Sequence, residues 1–155
     1  MNRTSGVSFA RDAAVATAVL AGLYGLGYGV QFQPFQLPTY LLVVGFDAIE
    51  AAVGSAGAWY DLLFAAYFVG LGIVAAGVSR VVRGKSKTTG LAWWRLGAAA
   101  ALALVGIISL LFALLVLANG VQFTPVLVAG GAGVALLALS AWVGDVVRVD
   151  VRPAR

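Results

Sequence analysis

The chain of 155 residues is 62% hydrophobic and 10% charged, with a mean hydropathy of +1.00. Such a composition leaves too little polar surface to cover a soluble globule, so we predict an integral membrane protein with a single transmembrane domain over residues 1–155. Ten lysines and arginines exceed six acids, giving a net charge of +4. Because the basic residues flank long apolar runs, they predict contact with the lipid bilayer rather than with nucleic acid.

The residue types that usually carry chemistry are scarce. Cysteine and histidine are absent, and the one methionine is Met1. Haem, zinc and copper sites depend on these side chains, and acid–base or nucleophilic catalysis most often uses them. We therefore predict no catalytic residue, no metal and no cofactor, and expect that the protein is not an enzyme.

Four apolar runs are long enough to cross a hydrocarbon layer of ~30 Å as helices. They cover about residues 13–30, 59–82, 96–118 and 125–147. A further segment, 38–54, has a short apolar run followed by Asp47 and Glu50, which share one helical face. The predicted fold class is an all-α membrane bundle of four transmembrane helices, with an additional interfacial or re-entrant helix on the outer side.

The distribution of positive charge sets the predicted orientation. With four spans, all ten lysines and arginines lie on one side, and the loops 30–58 and 119–124 contain none. The positive-inside rule then places both termini in the cytoplasm. The alternative has five spans and an outer N-terminus, divides the basic residues eight against two, and costs about 2.5 kcal/mol for each of two acids near mid-bilayer. A bias toward Ala, Gly, Val and Arg is typical of GC-rich prokaryotes and suggests a cell membrane.

A hexapeptide occurs twice in similar form. Residues 29–34 read GVQFQP and residues 120–125 read GVQFTP, each after a predicted span. One interpretation is a duplicated helical hairpin whose copies face the same side of the membrane. The other is that both copies are helix stop and start signals, with glycine ending one helix, and with Thr124 and Pro125 beginning the last span.

Small residues follow one another at helical spacing in every predicted span. In lipid, helices associate by close backbone approach, which requires small side chains, so these stripes predict packing within the bundle or against other membrane helices. The candidate packing glycines are Gly22, Gly25, Gly29, Gly70, Gly77, Gly106, Gly130 and Gly133.

The predicted outer side carries acids and amides. Asp47, Glu50 and Asp61 have no lysine or arginine near them in sequence, which makes them candidates for attracting or coupling a cation, or simply for an exposed negative face. Gln31 and Gln122 are candidates for a polar cap, because amides can bond the free carbonyls at helix ends.

Two functional hypotheses follow from these patterns. The first is a structural or accessory membrane protein that packs through small-residue faces with itself, as a homo-oligomer, or with a larger membrane protein complex. The alternative is an oligomeric transporter or channel, coupled to a cation or to protons, that uses the outer acids. The spans contain few polar side chains, which favours the first hypothesis.

Overall fold

The computed structural model describes residues 3–55, 57–85, 92–120 and 123–145. These residues form five α-helices, and the described part of the chain contains no strand. The helices are α1 (Arg3–Gly29), α2 (Gln33–Val53), α3 (Tyr60–Lys85), α4 (Arg95–Ala118) and α5 (Phe123–Val143), and a short 3-10 turn, Gly57–Trp59, precedes α3. All five are long and apolar enough to cross a membrane. The prediction of an all-α helical membrane bundle is therefore confirmed.

The helix bounds differ from the predicted spans mainly at the N-terminus. The first span was predicted from residue 13, whereas α1 begins at Arg3, because the charged segment before residue 13 continues the helix and packs on α3 and α4. The helix predicted over 38–54 begins earlier, at Gln33, where Pro34 in its first turn costs no hydrogen bond. The last span was predicted over 125–147, and α5 covers Phe123–Val143.

Helices α4 and α5 form a closely packed antiparallel hairpin. Gly106 and Gly133 face each other, so that a Cβ on either glycine would lie about 3 Å from the carbonyl oxygen of the other. The Ser109 hydroxyl donates to the Ala129 carbonyl at 2.7 Å, and the Ser140 hydroxyl donates to the Ala99 carbonyl at 2.7 Å. In membranes, such close approach and interhelical hydrogen bonding replace the hydrophobic effect as the source of helix association.

Helices α1 and α3 pack antiparallel beside this hairpin. The Thr17 side chain of α1 occupies the space that a Cβ on Gly72 of α3 would take. The Tyr24 ring contacts the rings of Phe64 and Phe68 edge to face, with centroids 5.3 and 5.5 Å apart. The buried core lies where α1, α2, α3 and α4 meet; it comprises Ala16, Leu20, Leu42, Phe68, Ala75, Ala100, Ala101 and Val105. We call the end of the bundle that carries Arg83 the basic end, and the end that carries Gly29 and Tyr60 the opposite end.

Helix α2 contacts α1 and α3 in the half of the bundle that carries Gly29 and Tyr60. The Thr39 hydroxyl donates to the carbonyls of Leu23 and Tyr24 in α1, which fixes one point of α2 at that level. Seven residues later, the Phe46 ring contacts Tyr60 and Phe64, which lie at the same level as Tyr24. The axis of α2 advances about 10 Å between Thr39 and Phe46. Between Thr39 and Phe46, α2 therefore passes from α1 to α3, and its second half lines a groove with Leu63, Gly70 and Val74 of α3.

Candidate functional site

An ion pair joins a buried carboxylate to an arginine at the basic end. Asp12 in α1 is 1% exposed, and its Oδ2 atom accepts a hydrogen bond from Arg83 Nη2 in α3 at 2.9 Å. The Arg83 side chain is 37% exposed and reaches the surface. A carboxylate is costly to bury, and the paired guanidinium offsets this cost by a charge-assisted hydrogen bond.

Three helices meet around Asp12. Gly97 brings the α4 backbone against α1, because a Cβ at Gly97 would lie 2.9 Å from the Asp12 carbonyl oxygen. The buried Ser79 hydroxyl donates to the Ala75 carbonyl of its own helix and to the Leu96 carbonyl of α4, both at 3.0 Å. Close packing from α3 and α4 therefore removes Asp12 from solvent.

The pair leaves one oxygen of Asp12 without a partner. The Oδ1 atom is buried and has no hydrogen bond from any described residue. Asp12 is not among the site residues predicted from the sequence. Its spacing could have indicated burial, since Asp12 precedes Ala16 and Leu20 at intervals of four and shares their buried face.

Other basic side chains at this end join helix termini and aromatic rings. The Arg11 guanidinium lies 4.9 Å from the centre of the Trp93 ring. Arg95 Nε donates to the Val143 carbonyl at 2.8 Å and Nη2 donates to the Trp142 carbonyl at 3.2 Å, which satisfies free carbonyls at the end of α5. The basic end therefore ties α1, α3, α4 and α5 together.

The predicted acidic residues lie together at the opposite end. Asp47 and Asp61 are exposed and Glu50 is half-buried, with its Oε1 atom accepting a hydrogen bond from the Ser55 hydroxyl at 3.1 Å. All three carboxylates are within electrostatic range of the Tyr60 hydroxyl. The structure thus gathers them around the start of α3, at a level that the aromatic rings of Phe46 and Tyr60 share.

The predicted packing glycines divide into two groups. Gly106 and Gly133 pack against each other within the protein, and a Cβ on Gly130 would approach the Ala113 side chain at 3.9 Å. Open space surrounds the remaining five, namely Gly22, Gly25, Gly29, Gly70 and Gly77. Close contacts also occur at glycines outside the predicted set, at Gly27 with Thr39, Gly72 with Thr17, and Gly97 with Asp12.

Amide side chains bond backbone carbonyls near the ends of α1 and α4. Gln36 Nε2 donates to the Val30 carbonyl at 3.3 Å, and Asn119 Nδ2 donates to the Leu115 carbonyl at 2.7 Å. Gln31 is exposed between α1 and α2. The other predicted cap residue, Gln122, lies outside the described residues.

The two copies of the hexapeptide lie in corresponding places. The first spans the connection from α1 to α2, and the second begins at Gly120, in the connection from α4 to α5. Gly120 has a φ of +77°, a left-handed conformation that favours glycine after a helix end. This conformation agrees with a stop signal. In the first copy, Gly29 ends α1 without a left-handed conformation.

Comparisons with known protein families, with curated proteins and with solved structures find no match to this chain.

Proposed function

We propose that this chain is a non-catalytic accessory or scaffold subunit of a cell membrane, which associates through one face of α1 with itself or with a larger membrane protein. The observation that carries the proposal is an exposed stripe of small residues on α1. We call it the α1 face; its members are Ala14, Ala18, Ala21, Gly22, Gly25 and Gly29.

The α1 face differs from the leucine-rich exposed surfaces of α4 and α5. On α4 and α5 the exposed residues include Leu111, Leu114, Leu115 and Leu127, which are 60–73% exposed and suit contact with lipid chains. A surface of glycine and alanine offers lipid little contact area, but it lets another helix approach its backbone closely. A Cβ on Gly22, Gly25 or Gly29 would meet nothing within 4 Å, so these glycines are not needed for packing inside the protein.

The proposed topology has four spans, with both termini in the cytoplasm and α2 in the outer interface. Its support is the position of the acids. Asp47 and Glu50 approach Tyr60 at the first turn of α3, at the end of the bundle away from Arg83. At that level their carboxylates can remain hydrated, which avoids the cost of charges at mid-bilayer.

The polar side chains of the interior favour an accessory role over transport. The buried polar residues among those described are Asp12, Ser79, Ser109 and Ser140. Each serine hydroxyl donates to a backbone carbonyl, and Asp12 is paired with Arg83. Such groups hold helices together. The alternative of cation-coupled transport by Asp47, Glu50 and Asp61 would gain support from a cation flux in proteoliposomes that their joint neutralisation abolishes.

The proposal is tested by the size of the assembly in mild detergent extracts of native membranes. On blue-native gels, we expect the wild type to migrate as a dimer or larger complex, and the Gly25→Leu, Gly29→Leu double variant to migrate as a monomer. The matched control is Gly77→Leu with Gly131→Leu, because these glycines also have open space but lie on α3 and α5. A monomeric wild type, or an assembly that survives the α1 substitutions, would contradict the proposal.

A further inference from the structure

We infer that a groove between α3 and α5 binds an anionic phospholipid, with an acyl chain in the groove and the phosphate at the basic end. Both helices pack on α4, and the groove between them has a volume of about 230 Å³ and opens to the surface. Its floor is formed by Ala99, Ala100 and Ala103 of α4, and Leu137 and Ala141 of α5 line one wall. An empty groove would forfeit dispersion contacts, and acyl chains are the apolar molecules that surround a membrane bundle.

The groove begins at headgroup level and runs into the hydrocarbon. Leu96 and Gly144 line its basic end, and Ala103 lies farthest along α4. From Leu96 to Ala103 the α4 axis advances about 10 Å, roughly two thirds of the ~15 Å depth of one leaflet. Trp94 and Trp142 are exposed at the basic end, and tryptophan rings favour the level of the lipid headgroups. The groove therefore has the position of the upper part of a lipid chain.

The lining of the groove suits a hydrocarbon chain. Its polar side chains are Ser79 and Ser140, and the other lining residues are alanine, valine, leucine and glycine. The Ser79 hydroxyl donates to the Leu96 and Ala75 carbonyls, and the Ser140 hydroxyl donates to the Ala99 carbonyl. Because both hydroxyl hydrogens bond the protein's own backbone, they are not free to bind a polar ligand.

Arg95 provides a partner for the phosphate at the basic end of the groove. It precedes the lining residue Leu96, and its guanidinium reaches the carbonyls of Trp142 and Val143, just before the lining residue Gly144. A guanidinium has five N–H donors, so these two hydrogen bonds leave donors for phosphate oxygens. Hydrogen bonds between arginine and phosphate are among the strong charge-assisted ones.

The charge at this end favours an anionic headgroup over a zwitterionic one. The acids of the described helix turns here are Asp12, which is paired with Arg83, and Asp145. They are outnumbered by the basic residues of the same turns, which are Arg11, Arg80, Arg83, Lys85 and Arg95. Basic sites between transmembrane helices attract anionic lipid headgroups. A second copy of this chain in the same orientation would bring a like charge to the groove, which opposes its docking there.

The inference is tested with two lipids that share their acyl chains and differ in headgroup charge. We would titrate the full chain in mild detergent with dioleoyl phosphatidylglycerol or dioleoyl phosphatidylcholine, and count bound lipids by native mass spectrometry. We expect the first phosphatidylglycerol to bind at least about tenfold more tightly than the first phosphatidylcholine. Equal affinities would indicate an unselective apolar groove and overturn the inference. A dimer that binds no phosphatidylglycerol would also overturn it, since a second copy would then cover the groove.

Variants of the groove and of its basic end locate the site. Ala141→Leu adds bulk to the α5 wall, so we expect phosphatidylglycerol affinity to fall at least about tenfold. Its control, Ala138→Leu, changes an exposed residue of α5 outside the groove and should leave affinity unchanged. Arg95→Gln should weaken phosphatidylglycerol about fivefold and phosphatidylcholine less than about twofold. If Ala141→Leu and Arg95→Gln both bind like wild type, the site is elsewhere and the inference is wrong.

Two further substitutions separate the charge of Arg95 from its role in holding α5. Arg95→Lys keeps the positive charge but lacks the planar guanidinium that bonds two carbonyls, and we expect it to retain the preference for phosphatidylglycerol. Arg80→Gln removes the same charge from an exposed residue of α3 that does not line the groove, and should weaken phosphatidylglycerol less than about twofold. An Arg95→Lys variant that loses the preference as fully as Arg95→Gln would show a merely structural role and overturn the assignment of the phosphate site.

Discussion

The two partners of the buried ion pair should respond very differently to removal. Asp12 is 1% exposed, whereas the Arg83 side chain is 37% exposed. Arg83→Ala leaves an unpaired carboxylate inside the bundle, which costs about 3–5 kcal/mol of the free energy of unfolding. Asp12→Asn removes the buried charge and keeps the side-chain volume, while Arg83 retains access to water, so its cost should be about 1–2 kcal/mol.

A double-mutant cycle makes this asymmetry measurable. In the Asp12→Asn background no buried charge remains, so the further change Arg83→Ala should cost at least about 2 kcal/mol less than it does in the wild type. Unfolding in mixed micelles of mild detergent and sodium dodecyl sulphate, followed by tryptophan fluorescence, gives the free energies. The matched control is Arg80→Ala, an exposed arginine on the same helix, which should change stability by no more than about 0.5 kcal/mol.

Two results would refute the reasoning on the ion pair. One is an additive cycle, in which Arg83→Ala costs the same with and without the Asp12 charge. The other is an Arg83→Ala variant as stable as Arg80→Ala. Either result would mean that the Asp12 carboxylate is not buried and charged in the folded protein.

Two further predictions concern helix packing and topology. Gly106→Ala places a Cβ about 3.0 Å from the Gly133 carbonyl oxygen, so overpacking should lower the free energy of unfolding by about 1–3 kcal/mol in the same assay. The control Gly131→Ala, which has open space around it, should be neutral or slightly stabilising. Equal effects of the two substitutions would show that the α4–α5 contact is looser than described. For topology, single cysteines in this cysteine-free chain at Ala48 and at Ser86 can be labelled with a membrane-impermeant maleimide on intact cells. The four-span arrangement predicts labelling at position 48 alone, and labelling at position 86 would contradict the proposed orientation.

The sequence predicted the class of fold well, but not the part that each small residue plays. Apolar runs of sufficient length indicated the helices, because in lipid a segment must satisfy its backbone hydrogen bonds internally. The glycine stripes indicated close packing, yet spacing alone could not separate Gly106, which packs on Gly133, from Gly25, which faces open space. The difference depends on which helix lies opposite, and a stripe contains no information about its partner.

Asp12 shows a second limit. A charged residue beside an apolar run is normally hydrated, so Asp12 was not among the predicted site residues. Its burial follows from the extension of α1 to Arg3 and from the absence of a side chain at Gly97, 85 positions away in the chain. The partner, Arg83, also comes from a distant helix. Contacts between residues so far apart are set by helix packing and are not encoded in local pattern.

Composition and charge pattern by themselves determined that this protein is an all-α membrane bundle, because hydropathy and backbone hydrogen bonding act within each segment of about 20 residues. Only the tertiary structure decided that α2 packs its Phe46 ring on Tyr60 of α3, and that a groove lined by Glu50 opens between these helices. It also decided that Asp12 is buried against Arg83 while the glycines of the α1 face remain open. These features depend on how whole helices approach one another, and close packing fixes that approach through contacts between residues far apart in the chain.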